Sequence, residues 1–388
     1  MPIDFDDRPR LVFWEMTKAC PLACVHCRAT AQPDPLPGEL TTAEGMRLID
    51  ELAATTRPRP ILILTGGDCL SRADLVALAA HAHAVGVPVA IAPSVSDRLT
   101  PAVLGQLREQ GVANASVSLD GSTAVTHEGI RNVPGHFEAT LDAIDLLLSE
   151  GFHVQVNTAV MAGNVAELPD VAALLHRHGV SVWEVFFLIN VGRAGELGEL
   201  SAQEAEDVCH FLVDAARYGM IVRTVEAPFF RRVQRERAAR SVPDVAEAFG
   251  LGPLYRDLSG RLAEQLGPPT SRVLAPTIAT RDGKGIVFVA HDGDVYPSGF
   301  LPLSLGNVRD TDLLAIYRHH PVMRALRGDE DADVPTGTCE YRDLCGGSRS
   351  RAYAATGDVL ADDPACILTT PNGRSCLRDQ VAVAVEEP

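Results

Sequence analysis

The sequence has little basic charge for its size. Its 388 residues include 34 Lys and Arg against 51 Asp and Glu, a formal net charge of −17. Binding a polyanion needs a clustered basic surface, so this balance argues against a nucleic-acid partner. The one basic run, residues 231–240, is expected to form the solvent-facing side of a helix.

Long apolar runs are also lacking. None approaches the roughly eighteen residues of a transmembrane helix. Residues 1–8 have neither the basic start nor the apolar core of a signal peptide. We therefore expect a cytoplasmic protein without a membrane partner, long enough for two or three domains.

Cysteines are few, and most of them lie in two groups. In a chain without a secretion signal, grouped cysteines indicate metal ligands more readily than disulfides. The first group is Cys20-x3-Cys24-x2-Cys27, which follows the apolar run 11–14. Three thiolates with this spacing can occupy three corners of an iron–sulfur cube and leave one iron open. The alternatives are a zinc loop, whose paired ligands close a tetrahedron, and three incidental thiols.

With His26 in the aromatic position before its last cysteine, this loop resembles the signature of the radical S-adenosylmethionine (SAM) superfamily. The resemblance implies a [4Fe-4S] cluster on Cys20, Cys24 and Cys27 whose open iron binds SAM. It also implies reductive cleavage of SAM to a 5′-deoxyadenosyl radical, which abstracts hydrogen from a substrate. An external one-electron reductant such as flavodoxin or ferredoxin is then required.

The first part of the chain alternates between apolar strands and amphipathic helices. The expected strands are 11–14, 61–64, 87–93, 115–119, 153–160 and 183–188, and the expected helices are 42–54, 73–85, 102–109, 137–149, 168–178 and 202–218. This alternation predicts an α/β fold with a parallel sheet and ligand sites at the strands' carboxyl ends. We assign a partial (β/α)6 barrel to residues 1–225.

Glycines and an acid follow the second strand. Gly66-Gly67-Asp68 resembles the superfamily's Gly-Gly-Glu element, which contacts the amino group of SAM. The glycines are expected to let the backbone approach a ligand closely, and Asp68 keeps the charge. Cys69 is expected to be a small buried residue.

Polar residues also follow the later strands. The resemblance assigns SAM ribose, carboxylate and adenine contacts there, with strand caps and turn hydrogen bonds as the alternative. The residues assigned in this way are Ser118, Asp120, Asn157 and Leu188, and Ser94 is added because it also follows a strand. Residues 127–137 are predicted to be a loop in which Arg131 binds a carboxylate of cofactor or substrate, while His127 is expected to be an ordinary loop histidine.

After residue 225 the alternation stops. Residues 226–280 are interpreted as a helical insertion or linker that covers the open side of the barrel, and residues 271–278 as its return to the barrel. Residues 286–296 then predict a β-hairpin with an Asp-Gly turn.

The second cysteine group, Cys339-x5-Cys345…Cys366, follows this hairpin. The order resembles a SPASM or Twitch extension, nearest to the haem-pathway branch of didecarboxysirohaem decarboxylase and haem d1 maturation. The resemblance implies one auxiliary iron–sulfur cluster in residues 281–388. Thr336 stands where that branch has a further cysteine, so the fourth ligand could be Cys376, another side chain or a small molecule. Zinc is the alternative metal.

The resemblance favours oxidative decarboxylation of tetrapyrrole propionates. Cations must then neutralise the substrate's carboxylates. The candidates are Arg131, Arg193, Arg349 and Arg351. Radical modification of a ribosomal peptide or another small natural product is an alternative, as is a non-enzymatic iron–sulfur electron carrier.

Overall fold

One sheet organises the protein. The computed structural model describes residues 4–194, 197–269, 279–328 and 339–368. Within these ranges nine strands form a sheet in the order β7-β6-β5-β4-β3-β2-β1-β8-β9, parallel except for the β8–β9 pair. The strands are β1 Leu11–Glu15, β2 Ile61–Thr65, β3 Val89–Ile91, β4 Asn114–Ser118, β5 His153–Val160, β6 Val182–Phe187, β7 Ile221–Val225, β8 Ile286–Val289 and β9 Val295–Tyr296.

Helices follow most of the strands. They are α1 Thr42–Ala53, α2 Leu75–Val85, α3 Pro101–Glu109, α4 Ala124–Arg131, α5 His136–Ser149, α6 Leu168–Arg177, α7 Ala202–Ala215, α8 Phe230–Ala239, α9 Val245–Phe249, α10 Pro253–Leu266, α11 Leu313–His319, α12 Pro321–Arg327 and α13 Arg349–Thr356. The predicted α/β fold with a partial barrel is confirmed. The structure adds a strand that was not predicted, β7, beside β6. No described helix is long and apolar enough to cross a membrane.

Alternation along each strand separates the helix-covered core from the barrel interior. Trp14 of β1 is fully buried against α1, where a Cβ on Gly45 would lie 2.4 Å from the indole ring. On the opposite face of the sheet, Gln155 Nε2 donates to Asn157 Oδ1 and to Glu184 Oε2, both at 2.8 Å. The interior of the barrel is therefore partly polar, as a ligand site requires.

The segment predicted as a loop after the fourth strand contains a helix, α4. Thr123 begins it, because its side chain accepts a hydrogen bond from Thr126 N, and His127 and Ile130 face the protein interior. The loop prediction was wrong for residues 127–131 because capping and burial of one helical face outweigh the short length of the segment.

The described part of residues 226–280 contains three helices, α8, α9 and α10, but α10 does not cover the open side of the barrel. It packs outside, against α6 and α7: Arg261 pairs with Asp170, and Tyr255 Oη donates to Asp214 Oδ2 at 2.8 Å. Leu258 of α10 is fully buried there. That part of the prediction was wrong, because the apolar face of α10 finds its partners on the outer helices. The predicted return, residues 271–278, lies outside the described residues.

The predicted hairpin forms, with Gly293 at its turn (φ +90°). Its first strand, β8, also pairs in parallel with β1, with Leu11 opposite Ile286. Past the hairpin, Phe300 reaches Phe186 of β6, with ring centroids 6.2 Å apart. Residues beyond the hairpin therefore contact the strand on the far side of the barrel.

Candidate functional site

The first three cysteines lie together in the loop that follows β1. Cys20 and Cys24 are buried with Leu22, and Cys27 packs against them. Cys20 N donates to Gln32 O at 2.7 Å, which closes the loop at its base. A sheltered loop that brings three thiols together fits three corners of an iron–sulfur cube.

The surroundings of the thiols favour a bound metal or a nearby cation. Burial raises the pKa of Cys20, so the thiolate needs a compensating positive charge. Arg131 Nη1 donates to Cys24 Sγ at 3.7 Å, and Ser94 Oγ lies 3.4 Å from Cys20 Sγ. Among the described residues, no group of three or more His, Cys, Asp or Glu forms a site for a single metal ion.

The two glycines after β2 make room for the cysteine loop itself. A Cβ on Gly66 would lie 2.5 Å from Thr17 O, and one on Gly67 would lie 2.4 Å from Ala19 O. Gly67 N donates to Thr17 O at 2.8 Å. The close approach that these glycines allow is thus an approach of the segment that leads into Cys20.

Asp68 is fully buried and already has protein partners. Its Oδ1 accepts from Leu70 N at 3.1 Å and from Ser94 N at 3.3 Å, and its Oδ2 accepts from Ser96 Oγ at 2.9 Å. Burial raises the pKa of Asp68. The carboxylate therefore ties the end of β2 to the residues that follow β3. Cys69 is fully buried, as predicted.

Asp120 and Arg131 form a buried ion pair next to the loop. Arg131 Nη2 lies 2.6 Å from Asp120 Oδ2, and His26 Nε2 lies 3.5 Å from the same oxygen. Burial alone would raise the pKa of Asp120, but Arg131 and His26 outweigh it and the pKa is lowered. Arg131 Nε and His26 Nδ1 are buried without a hydrogen-bond partner in the described part of the chain. The free N–H of Arg131 Nε fits the carboxylate and sulfide acceptors that SAM and a cluster would bring, whereas His26 Nδ1 donates or accepts according to the tautomer of its ring.

His127 belongs to a buried chain of hydrogen bonds. Asp120 N donates to His127 Nδ1 at 3.1 Å, so the His127 proton sits on Nε2, which lies 2.9 Å from His136 Nδ1. His136 Nε2 must then carry a proton, which it donates to Val95 O at 3.2 Å. Burial lowers the pKa of His127 to about 3. Two neutral imidazoles thus lock Asp120 to the residues after β3.

The remaining predicted residues lie on neighbouring strands: Ser118 is the last residue of β4, Asn157 lies within β5 and not at its end as predicted, and Leu188 directly follows β6. Ser118 and Asn157 are paired neighbours on β4 and β5, and Asn157 Oδ1 accepts from Gln155. Leu188, just past β6, packs in one cluster with Ile130 of α4, and Val25 of the cysteine loop packs against that cluster. The packing of Leu188 therefore brings the end of β6 to the cysteine loop.

The second cysteine group lies by the start of α13. Cys345 is buried, and its N donates to Tyr341 O at 2.7 Å, while Cys339 O accepts from Arg342 N. Burial raises the pKa of Cys366 to about 11. Thr336 and Cys376 lie outside the described residues.

Three buried carboxyl groups hold α13 in place. Asp282 Oδ2 accepts from Ser350 N at 2.9 Å, and Asp363 Oδ2 accepts from Ser348 N at 2.7 Å. Glu226 accepts from Ser348 Oγ, and burial raises its pKa to about 8. These contacts attach the segment that carries Cys345 to the ends of β7 and β8.

Two partly buried arginines lie beside Cys345. Arg231 donates to Leu344 O, and a Cβ on Gly346 would lie 2.9 Å from Arg281 Cζ. Burial lowers the pKa of both arginines to about 10. Neither is paired with a carboxylate in the described ranges, and Arg281 Nη1 is buried without a hydrogen-bond partner. An anionic iron–sulfur cluster would supply the missing counter-charge.

The prediction that the arginines of residues 231–240 face solvent was wrong for part of this run. Arg231 is partly buried, and Arg232 is buried against Glu206.

Known proteins resemble this chain over most of its length. Residues 14–175 match the family described as the Radical SAM superfamily. The AdoMet-dependent heme synthase of Oleidesulfovibrio alaskensis is 36% identical over 361 residues, covering 92% of this chain and 87% of the relative. The enzyme of the same name from Methanosarcina barkeri is 36% identical over 366 residues, covering 94% and 98%.

The chain belongs to the radical SAM superfamily. Within the superfamily it falls in the branch that contains the AdoMet-dependent heme synthases. The crystal structure of Streptococcus suis SuiB bound to S-adenosylmethionine matches the fold with a TM-score of 0.64 at 10% identity, covering 93% of this chain and 76% of SuiB. This radical SAM enzyme therefore uses a [4Fe-4S] cluster and SAM, as its superfamily does.

Of the four arginines predicted to neutralise substrate carboxylates, three have protein partners. Arg131 pairs with Asp120, Arg349 Nη1 donates to two carbonyl oxygens, and Arg351 pairs with Asp363 at 3.2 Å. Arg193 is exposed, and its N donates to Cys27 O at 3.1 Å. Of the four, Arg193 is therefore the one whose guanidinium is open to solvent, whereas Arg131 keeps only its buried Nε free in the described chain.

Sequence reasoning missed a charged group in the barrel interior of this radical SAM enzyme. Glu15, Arg28 and His291 meet there, although they lie on three separate segments. The signals available were the position of Glu15 at a strand's carboxyl end and of Arg28 directly after Cys27. His291 carries no such local signal, because only the β1–β8 pairing brings it near.

Proposed function

We propose that this radical SAM enzyme oxidatively decarboxylates propionate side chains of a haem-related tetrapyrrole. The observation that carries the proposal is the three-cysteine loop at the carboxyl edge of the sheet, with Arg131 bonded to both Cys24 and Asp120. The 36% identity to AdoMet-dependent heme synthases over nearly the whole chain supports the substrate class.

When bound to Cys20, Cys24 and Cys27, the cluster supplies the electron that cleaves SAM to a hydrogen-abstracting 5′-deoxyadenosyl radical. The protein shelters this loop and orients SAM along the strand ends. The residues that we assign to SAM are Gly66, Gly67, Asp68, Ser94, Ser118, Asp120, Arg131, Asn157 and Leu188. Several act through backbone atoms or through Arg131, since their side chains already have protein partners.

The proposed oxidative decarboxylation releases one surplus electron. Removal of one hydrogen atom from the propionate carbon next to the macrocycle, followed by loss of CO2, gives a vinyl group and one electron. We assign its acceptance to one auxiliary iron–sulfur cluster held by Cys339, Cys345 and Cys366. The partly buried arginines Arg231 and Arg281, which pair with no carboxylate in the described residues, support an anionic group at that place.

We assign the domains from the positions of the two cysteine groups along the chain. Residues 1–225 carry the barrel, residues 226–280 connect it, and residues 281–388 form a SPASM/Twitch-type extension. Cys376 remains the candidate for a fourth ligand. Flavodoxin or ferredoxin would deliver the first electron.

The test uses protein purified without air. Two cubes require about eight irons per chain. With dithionite, SAM and iron coproporphyrin III, whose four propionates become two propionates and two vinyl groups in haem, we expect 5′-deoxyadenosine, CO2 and haem. Cys24→Ala should abolish all three. About four irons with one zinc would refute the auxiliary cluster, and 5′-deoxyadenosine formation that no tetrapyrrole stimulates would refute the substrate class.

A further inference from the structure

The charged side chain of Arg28 lies inside the barrel and is only partly paired within the described residues. Arg28 Nη2 donates to Glu15 Oε1 at 3.0 Å, and Arg28 Cζ lies 4.5 Å from the centre of the Phe288 ring. Glu15 is 2% exposed at the end of β1, and Phe288 lies on the neighbouring strand β8. The bond to Glu15 is the guanidinium's single hydrogen bond within the described residues, and 25% of the Arg28 side chain is exposed.

His291 completes this group from the segment after β8. Its Nδ1 lies 3.5 Å from Glu15 Oε2, while its side chain is only 8% exposed. The Nδ1 atom makes no hydrogen bond in the described structure. Leu40 N donates to His291 O at 2.7 Å and so fixes the backbone at this point. Glu15 thus faces Arg28 with one oxygen and His291 with the other.

The group lies next to the first cysteine loop. Arg28 directly follows Cys27, and its carbonyl oxygen lies 2.6 Å from where a Cβ on Gly192 would be. A Cβ on Gly299 would lie 3.3 Å from Arg28 Nε. The backbone at both glycines therefore packs closely against Arg28, so the two glycines fix where the arginine lies.

We propose that Arg28 binds a carboxylate of the substrate, and that Glu15 and His291 hold the Arg28 guanidinium in position. This inference rests on the proposed function. A guanidinium held on one side by a carboxylate and an aromatic ring presents its remaining N–H groups as a rigid fork, which matches a carboxylate in two-point fashion. Its place directly after Cys27 sets a bound propionate beside the radical source.

A purely structural ion pair is the competing explanation. Such a pair would affect stability without affecting substrate affinity. The two explanations can be distinguished by changing both the substrate's carboxylates and Arg28. Only a direct contact makes the effect of one change on binding affinity depend on the other.

The experiment measures binding of iron coproporphyrin III, and of its tetramethyl ester, to anaerobic holoenzyme by absorbance titration. Wild-type protein should bind the acid about 10- to 100-fold more tightly than the ester. Arg28→Gln should remove most of that preference, and Arg28→Lys should keep part of it. Glu15→Gln should raise KM for the tetrapyrrole while leaving kcat nearly unchanged.

Arg261→Gln is the matched control, since Arg261 also pairs with an acid but lies on the outer helices. It should keep the full preference for the acid. Iron content verifies that each variant is folded and loaded. An Arg28→Gln enzyme that still prefers the acid as wild type does would overturn this inference alone. Wild-type protein that binds neither compound would overturn the proposed function and this inference with it.

Discussion

Arg131 Nη2 lies 2.6 Å from Asp120 Oδ2, and Arg131 Nη1 lies 3.7 Å from Cys24 Sγ. One buried cation therefore joins the end of β4 to the cysteine loop. Because α4 delivers Arg131 from its last turn, the helix that sequence analysis took for a loop places the central charge of the site.

Arg131→Gln should destabilise the protein by about 3–5 kcal/mol, because it leaves the Asp120 carboxylate buried without its cation. Iron binding at the first cysteine loop should fall as well. Anaerobic thermal unfolding and iron analysis measure both effects. The double variant with Asp120→Asn should lose much less than the sum of the single variants; simple additivity would contradict the pairing.

Gly67→Ala should weaken the cysteine loop, since its Cβ would lie 2.4 Å from Ala19 O. Overpacking of this kind costs about 1–3 kcal/mol, so we expect less iron per chain and less 5′-deoxyadenosine. Gly105→Ala is the control, because Gly105 sits within α3 and no described atom apart from the neighbouring backbone of that helix lies within 4 Å of its Cβ. Normal iron content in Gly67→Ala would show that the loop tolerates displacement.

His127 should make the protein sensitive to mild acid. Its pKa is about 3 when folded against 6.5 for an ordinary histidine, so unfolding between these values takes up one proton. The free energy of unfolding therefore falls as the pH drops from about 6.5 towards 3, by about 1.4 kcal/mol per pH unit from this residue.

His127→Gln removes that contribution. Its urea midpoint should depend less on pH between about 4 and 6 than the wild-type midpoint does. The exposed His319, changed to Gln, serves as the comparison. Equal pH dependence in wild type and His127→Gln would mean that His127 is protonated in the folded protein.

Arg231→Gln should lower the reduction potential of the proposed auxiliary cluster. Removing a nearby positive charge disfavours the reduced, more negative state. A shift of about 60 mV, equal to a tenfold change for one electron, is the expected order. Anaerobic redox titration followed by electron paramagnetic resonance measures it, with the exposed Arg240→Gln on the same segment as control. Equal shifts in both variants would place the cluster away from Arg231.

The architecture was readable from the order of strands and helices. Apolar strands such as 153–160 and capped helices such as 202–215 are specified locally, by alternation and by side chains like Ser201 that cap the first turn. The position of α10 on the outside of the barrel could not be predicted from the sequence, because its apolar face fits either the open side of a barrel or an outer helix. Only packing selects between them.

The sequence by itself determined the cysteine loop, the Gly-Gly-Asp element and the strand-end residues, because each is a short motif whose spacing along the chain carries its chemistry. Tertiary structure alone decided which charges meet. Glu15 reaches His291 because β8 pairs with β1, and Arg231 reaches Cys345 because α13 is held against the barrel. Contacts between distant segments depend on packing geometry, which no local pattern records.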